Sequence, residues 1–397
     1  MNVLHINTTD FGGAANASKR IHCELLKNGI DSNMLFLYKY NNIPNSFSFS
    51  EIKINKISRL LQHIRNNSIR RKKDRYLKNI TEWYETFTFP YSEYDITRHP
   101  LYKKADIIQL NWTGDFLDEP SFFKKNKKPV VWRMPDLYPC NGGFHYQKLF
   151  PFDQFKEAIA ENLSIRKKAL ENANIFFVPI SEWVMKKTEE SPLLKDFPKQ
   201  IIYNGIDLSV YKPYPQDSSR KKLGIPQDKK MLLFGASSLV NKRKGLQILM
   251  NAIKASDFKE KCHIYIFGEG AKEFSDGVTT LEFVKDEKEL AVIYSAADLF
   301  VMPSLEEAFG QVTLEALSCG VPVISFPTGG SLDIIKNGFN GIIAEDFTEN
   351  DLKNAIYNGL NTDFDKTDIR SDIENRFNIQ DKAKQYLEIY QKLLSGN

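Results

Sequence analysis

Residues 303–320 read PSLEEAFGQVTLEALSCG, and the reading of this stretch decides the fold. An apolar run, DLFVMPS, leads into it, and a second, VPVISF, follows. Between them Gly310 opens a segment with helical patterning. Strand, loop, helix and strand in that order make a βαβ unit, the building block of a parallel sheet. Glu307 sits in the loop ahead of the helix and Glu315 within the helix, eight residues on. Gly310 lets the backbone approach a ligand closely, so the amides around Phe309, Gly310, Gln311 and Val312 would face an anion. Carboxylates accept hydrogen bonds from hydroxyls, as a sugar or ribose offers. The plainer alternative is that the acids stabilise a helix dipole. It suits Glu307 and accounts less well for Glu315, which lies further along the helix.

The same alternation runs outward in both directions. Towards the N-terminus come the apolar strands KMLLFGAS, CHIYIFGEG and TTLEFV, with helices expected at residues 245–255 and 287–297. A separate series opens the chain: VLHIN, a TTDFGGA loop, a helix over residues 14–28, then NMLFLY, DIIQLNW, PVVWRM, NIFFVPIS and QIIYNG. Residues 205–225 are rich in Pro, Gly and polar residues and read as a linker. Two doubly wound α/β domains are expected, at residues 1–205 and 206–378. Ile54, Ile57, Leu60, Leu61 and Ile64 share one face of a basic amphipathic helix that stands apart from the sheet pattern.

Composition sets the class. The chain has 397 residues, 42% of them hydrophobic and 26% charged, which suits two soluble globular domains. Cys23, Cys140, Cys262 and Cys319 form no metal-ligand spacing, so reduced thiols in a cytoplasmic protein are expected. The opening MNVLHINTTD has no basic region followed by a long apolar run, so no secretory leader is expected. Residues 1–205 carry 31 Lys/Arg against 22 Asp/Glu, a net +9, and most of the excess lies in residues 53–78. There, ten basic residues face one acid, Asp74. Such a run is either a solvated helix face or a contact for a phosphate-rich partner.

Two further loops follow strands. DFGGAA brings Gly12 and Gly13 to a helix start, but it is not GxGxxG, so it reads either as a tight turn or as an anion loop. NKRKGL places Arg243 and Lys244 just before a helix start, where cations are unfavourable unless an anion joins them. Together the three loops suggest a cleft between two domains that takes an anionic, hydroxyl-rich ligand such as a sugar nucleotide. No HExxH, GxSxG or P-loop is present in the sequence.

PSLEEAFGQVTLEALSCGVPVIS resembles the signature of family 4 retaining glycosyltransferases, which have the GT-B fold. The Gly-Gly loop, YNGIDLSVYKP, RKG, FGEG, LAVIYSAADLFVMPS and PTGGSLDIIKNGFNGIIAED match that family in order, and RFNIQDKAKQYLEIYQKLL is similar to its last helices, which implies a C-terminal helix at 379–397 crossing back to the first domain. The resemblance implies that Glu307 contacts the donor sugar and Glu315 the ribose. It implies that Lys244 binds phosphate and that Gly12 and Gly13 approach the diphosphate. Gly268, Glu269, Gly270, Val284 and Lys285 would lie near the base. The family's usual Arg, five residues before the lysine, is absent. Ser238 and Leu239 occupy that region, and Arg243 is the expected replacement. VVWRMPDLYPCNGGFHY resembles a subgroup of cell-surface polysaccharide assembly (capsule, O-antigen and colanic-acid type), in which a His-Asp pair follows the strand. Here Pro135 stands for the His, Asp136 remains, and His145 is the candidate substitute on the acceptor side.

The expectation is hexosyl transfer from a UDP- or GDP-sugar to a hydroxyl of a saccharide or lipid-linked acceptor, with no metal and no cofactor. Residues 53–78 would touch an anionic membrane at its cytoplasmic face. The alternatives are an epimerase or phosphorylase on the same scaffold, or a non-catalytic basic binding protein.

Overall fold

A computed structural model describes the chain apart from residues 50–55, 79, 81–84, 271–277, 282–283, 285 and 397, and apart from the side chains of 56–62. The chain divides into two compact units. The first is Met1–Tyr203 together with Lys382–Asn397, and the second is Asn204–Asp381.

Six parallel strands form the first unit's sheet: β1 (Asn2–Thr9), β2 (Asp31–Tyr38), β3 (Ser46–Ser48), β4 (Ile107–Leu110), β5 (Val130–Met134) and β6 (Ile175–Pro179). Their spatial order is β3-β2-β1-β4-β5-β6. Apolar runs such as VVWRM and IFFVP are buried along their whole length, as strands covered on both faces must be. The second unit has β7 (Lys230–Ser238), β8 (Cys262–Glu269), β9 (Thr279–Leu281), β10 (Leu299–Met302), β11 (Val323–Ser325) and β12 (Gly341–Ile343), also parallel. Their order is β12-β11-β10-β7-β8-β9, the first sheet's order met again. Each sheet therefore reverses direction once, between β1 and β4 and between β7 and β10. Ligands of open α/β sheets gather at the carboxyl ends of the strands on either side of such a reversal.

Three expectations change. QIIYNG forms no strand: Gln200 and Ile202 donate to the carbonyls of Phe177 and Pro179 along β6, but the contact is irregular and only isolated bridges result. The expected linker holds a helix, Gln216–Leu223, whose Arg220 lies 2.5 Å from Asp298 and so belongs to the second unit's packing. The basic helix runs Lys56–Leu77. Of its expected apolar face, Ile54 and the side chains of Ile57, Leu60 and Leu61 lie outside the described residues and Ile64 is 57% exposed, and the helix docks through apolar residues of its second half. Its Ile69, Tyr76 and Leu77 pack against Phe89, Tyr91 and Ala158. Arg65, Arg70, Lys72 and Lys73 pair with Asp118, Glu93, Glu161 and Asp115. Among the described residues, no helix is long and apolar enough to cross a membrane.

Candidate functional site

The loops after β7 and β10 meet. Leu305 N–H donates to the Arg243 carbonyl at 2.8 Å, tying one loop to the other by backbone. Gly245, next in the first loop, has φ +74, and a Cβ there would sit 1.9 Å from the Pro303 carbonyl oxygen. Only glycine permits this approach, which sets Lys244 beside the second loop.

Lys244 Nζ then reaches Glu307 Oε2 at 2.5 Å, while Arg243 Nη1 lies 3.9 Å from the same oxygen. Glu307 is 7% exposed. Burial alone would raise its carboxyl, but Lys244 and Arg243 outweigh it. With hydrogen bonds from Lys244 and Ser304, they hold the carboxyl below its ordinary range. A third loop backs this one. Gly330 N–H donates to the Glu307 carbonyl at 3.1 Å. Gly329, at φ +41, would place a Cβ 1.8 Å from that oxygen. The paired glycines of PTGGS are thus part of the loop's support, a role their sequence hints at only through their pairing.

Arg243 was expected to face a diphosphate. It is 5% exposed, and Nη1 donates to the Glu306 carbonyl at 2.7 Å, so its first role here is to brace the loop. Phe309 is buried with its ring edge-on to Phe377. Gly310 caps the Gln311–Ser318 helix, leaving Gln311 and Val312 half-buried in its first turn. Amides of such a first turn have no partner within their own helix and carry the positive end of its dipole. Glu315 is buried in that helix, and its Oε2 accepts from the Tyr294 hydroxyl at 3.2 Å. Ser238 ends β7 opposite Glu269 at the end of β8, with Gly268 and Gly270 flanking Glu269. Val284 is half-buried, and Lys285 lies outside the described residues. The arrangement offers a shared cation, a carboxylate kept ionised and a helix start, which together suit a phosphate with hydroxyls beside it.

In the first unit, Gly12 caps the Gly13–Lys27 helix directly after β1. Beside it, Thr8 and Trp112 join the ends of β1 and β4: Thr8 N–H donates to the Trp112 carbonyl at 2.8 Å. Asp136 and His145 do meet, with Asp136 Oδ2 2.7 Å from His145 Nδ1 and Thr88 Oγ1 2.9 Å from Nε2. Trp112 Nε1 also lies 3.3 Å from Nδ1, but an indole only donates and a carboxylate only accepts. The shorter Asp136 contact assigns the proton to Nδ1, and Nε2 then accepts from Thr88. His145 is 2% exposed with both nitrogens engaged, which departs from the expectation of an acceptor contact. Sequence reasoning missed the group beneath it. Arg166 binds Glu119 through two 2.8 Å contacts and the Tyr138 carbonyl at 2.6 Å, wholly buried. No periodic signal links residues 47 apart.

Residues 229–362 match the family model described as Glycosyl transferases group 1. D-inositol 3-phosphate glycosyltransferase 1 of Catenulispora acidiphila is 33% identical over 164 residues, covering 36% of this chain and 39% of the relative. Spore coat protein SA of Bacillus subtilis is 28% identical over 223 residues, 48% of this chain and 58% of the relative. The matched segments thus span about two fifths to three fifths of these two curated relatives. Among solved structures, sucrose-phosphate synthase from Thermosynechococcus elongatus superposes with a TM-score of 0.72 at 19% identity, covering 100% of both chains. Anabaena HepE in complex with UDP and glucose does so at 0.71 and 16%, covering 98% of this chain and 99% of its own. At such identities the likeness is one of fold: two Rossmann-like sheets of the GT-B type, the second of which carries the group 1 glycosyltransferase match.

Proposed function

We propose that the chain is a retaining glycosyltransferase that passes a hexosyl unit from a UDP- or GDP-sugar to a hydroxyl of a saccharide or lipid-linked acceptor. The observation that carries this reading is the Lys244–Glu307 pair at the reversal between β7 and β10, inside the segment that matches the family. An arriving diphosphate competes for Lys244 and leaves the Glu307 carboxylate to accept sugar hydroxyls. As the bond from sugar to phosphate breaks, negative charge grows on the diphosphate. Lys244 and the first-turn amides of the Gln311–Ser318 helix are fixed in advance to stabilise it. Attack from the leaving group's own face keeps the anomeric configuration. The leaving phosphate oxygen takes the acceptor proton, so the scheme asks for no protein nucleophile and no metal.

A place in cell-surface polysaccharide assembly is part of the proposal and is supported by the sequence resemblance around Asp136. So is contact with anionic lipid, supported by exposed Arg71, Arg75 and Lys78 on the basic helix.

A thermal-shift panel of UDP-, GDP- and ADP-sugars tests the reading, followed by product analysis by mass spectrometry and NMR. Stabilisation by one nucleotide class and a glycoside with retained configuration are expected. No shift with any nucleoside diphosphate would sink the reading. An epimerised donor or a sugar phosphate would assign the scaffold to the alternative chemistries.

A further inference from the structure

Resting on the transferase reading, we propose that the segment leaving β2 is a binding platform for a neutral saccharide, the acceptor, with Tyr38 and Tyr40 as its stacking rings. Tyr38 is 51% exposed and Tyr40 74%, and Phe11, two residues beyond Thr9, is 46% exposed. Thr9 and Tyr38 are register partners at the carboxyl ends of β1 and β2, so the three aromatic residues belong to one end of the sheet, next to Gly12. The two tyrosine rings, exposed at a strand end, are a standing capacity to bury apolar surface.

The backbone beneath them is held. Asp10 is buried, and its Oδ2 accepts from Tyr40 N–H at 2.9 Å and from Asn41 N–H at 2.6 Å. Ile43 packs on Met34 and Phe36, and His22 Nε2 lies 2.8 Å from the Pro44 carbonyl oxygen. Anchors face inward while the tyrosines face solvent, so a ligand would meet a loop whose ordering cost is already met.

The chemistry of the segment selects the occupant. Residues 38–49 read YKYNNIPNSFSF, with Lys39 as the single charge and Asn41, Asn42 and Asn45 all exposed. Tyr, Asn and Ser form an adaptable contact surface: rigid amphipathic rings with amides that donate and accept. A pyranose matches it, with a face of C–H bonds for a ring and a rim of hydroxyls for the amides. An anionic lipid surface calls for clustered cations beside its apolar anchors, and a soluble anionic ligand for more than one lysine.

The test uses the full chain and neutral probes: methyl glycosides of glucose, galactose, mannose and N-acetylglucosamine, and their trisaccharides. Saturation transfer from the aromatic protons to the ring C–H protons of at least one probe is expected. The Tyr38→Ala/Tyr40→Ala variant should bind that probe at least about tenfold more weakly. The Tyr→Phe pair should retain most binding, because stacking does not need the hydroxyl. The thermal shift with UDP or GDP should be the same in all three proteins. No transfer to any probe, with the nucleotide shift intact, overturns the platform and leaves the proposed function standing. Loss in the Ala variant of vesicle binding or of self-association, in place of sugar binding, overturns it in favour of a membrane or a second copy. Absence of any nucleotide shift in the wild type strikes the transferase reading itself, whatever the sugars do.

Discussion

Lys244 Nζ and Glu307 Oε2 lie 2.5 Å apart although 63 residues separate them in the chain. The pair is part-buried, which makes it sensitive to acid. The folded Glu307 carboxyl is held below its ordinary 4.5, and a depressed carboxyl contributes stability that is present above that value. The contribution fades as pH falls through the folded value. Glu307→Gln should therefore cost stability at neutral pH, and the deficit against wild type should begin to close as pH falls below the ordinary 4.5 and shrink further as it passes through the lower folded value. Urea melts at a series of pH values read this directly. A deficit that stays constant with pH would show that the carboxylate's charge is not what the fold uses.

Gly245, in the loop after β7, and Gly338, in the turn before β12, are glycine for different reasons, and a matched pair of substitutions separates them. Gly245 and Gly338 both have positive φ, +74 and +80, but only at Gly245 would a Cβ strike backbone, the Pro303 carbonyl oxygen. Gly338→Ala should cost about 1 kcal/mol, the ordinary penalty of a left-handed alanine. Gly245→Ala should cost about 3 kcal/mol or more and should also displace Lys244 and weaken nucleotide binding. Denaturation midpoints and a nucleotide titration of both variants check this. Equal costs would mean that the Gly245–Pro303 contact relaxes easily.

Much of the fold was legible because buried parallel strands write themselves as short apolar runs. VLHIN, NMLFLY, VVWRM, IFFVP, LLFGAS and IYIFG all lie within strands. The three-residue edge strands β3 and β12 left no such run: SFS is mostly polar and exposed, and GII is too short to show a period. The site was legible in its parts, since Lys244, Glu307 and Gly310 each stand in a loop ahead of a helix. Their pairing was not. Sequence reading gave Lys244 to phosphate and Glu307 to sugar, and nothing local says that one neutralises the other across the sheet reversal. The same limit hid Arg166–Glu119, a contact that only tertiary packing creates. It also hid Asp10's grip on Tyr40, because a carboxylate binding a distant backbone amide has no spacing rule.

The Arg166–Glu119 pair invites a double-mutant cycle. Both side chains are fully buried, and Arg166 also stacks over the Tyr138 ring, 4.2 Å from its centroid. Arg166→Met strands a buried carboxylate and should cost about 3–5 kcal/mol. Glu119→Leu strands a buried guanidinium at similar cost. The double variant should be far less destabilised than the sum of the singles, because neither charge is then left unpaired. The segment from Asp136 to His145 loses its floor in the single variants. Chemical denaturation of all four proteins gives the coupling. Simple additivity would mean that the two groups find other partners once separated.

The basic helix divides into cations already paired and cations still facing water. Arg70 and Lys73 are paired to Glu93 and Asp115, whereas Arg71, Arg75 and Lys78 are exposed. Any attraction to anionic lipid should come chiefly from the second group. It should be weak, because screening at physiological salt confines it to about 8 Å. Co-sedimentation with phosphatidylglycerol-containing vesicles should be measurable at low salt and lost at high salt. Changing Arg71, Arg75 and Lys78 together to Gln should abolish it without moving the melting temperature, since the residues that dock the helix are untouched. Equal binding to neutral phosphatidylcholine vesicles would place the contact elsewhere on the protein and remove the helix from the membrane proposal.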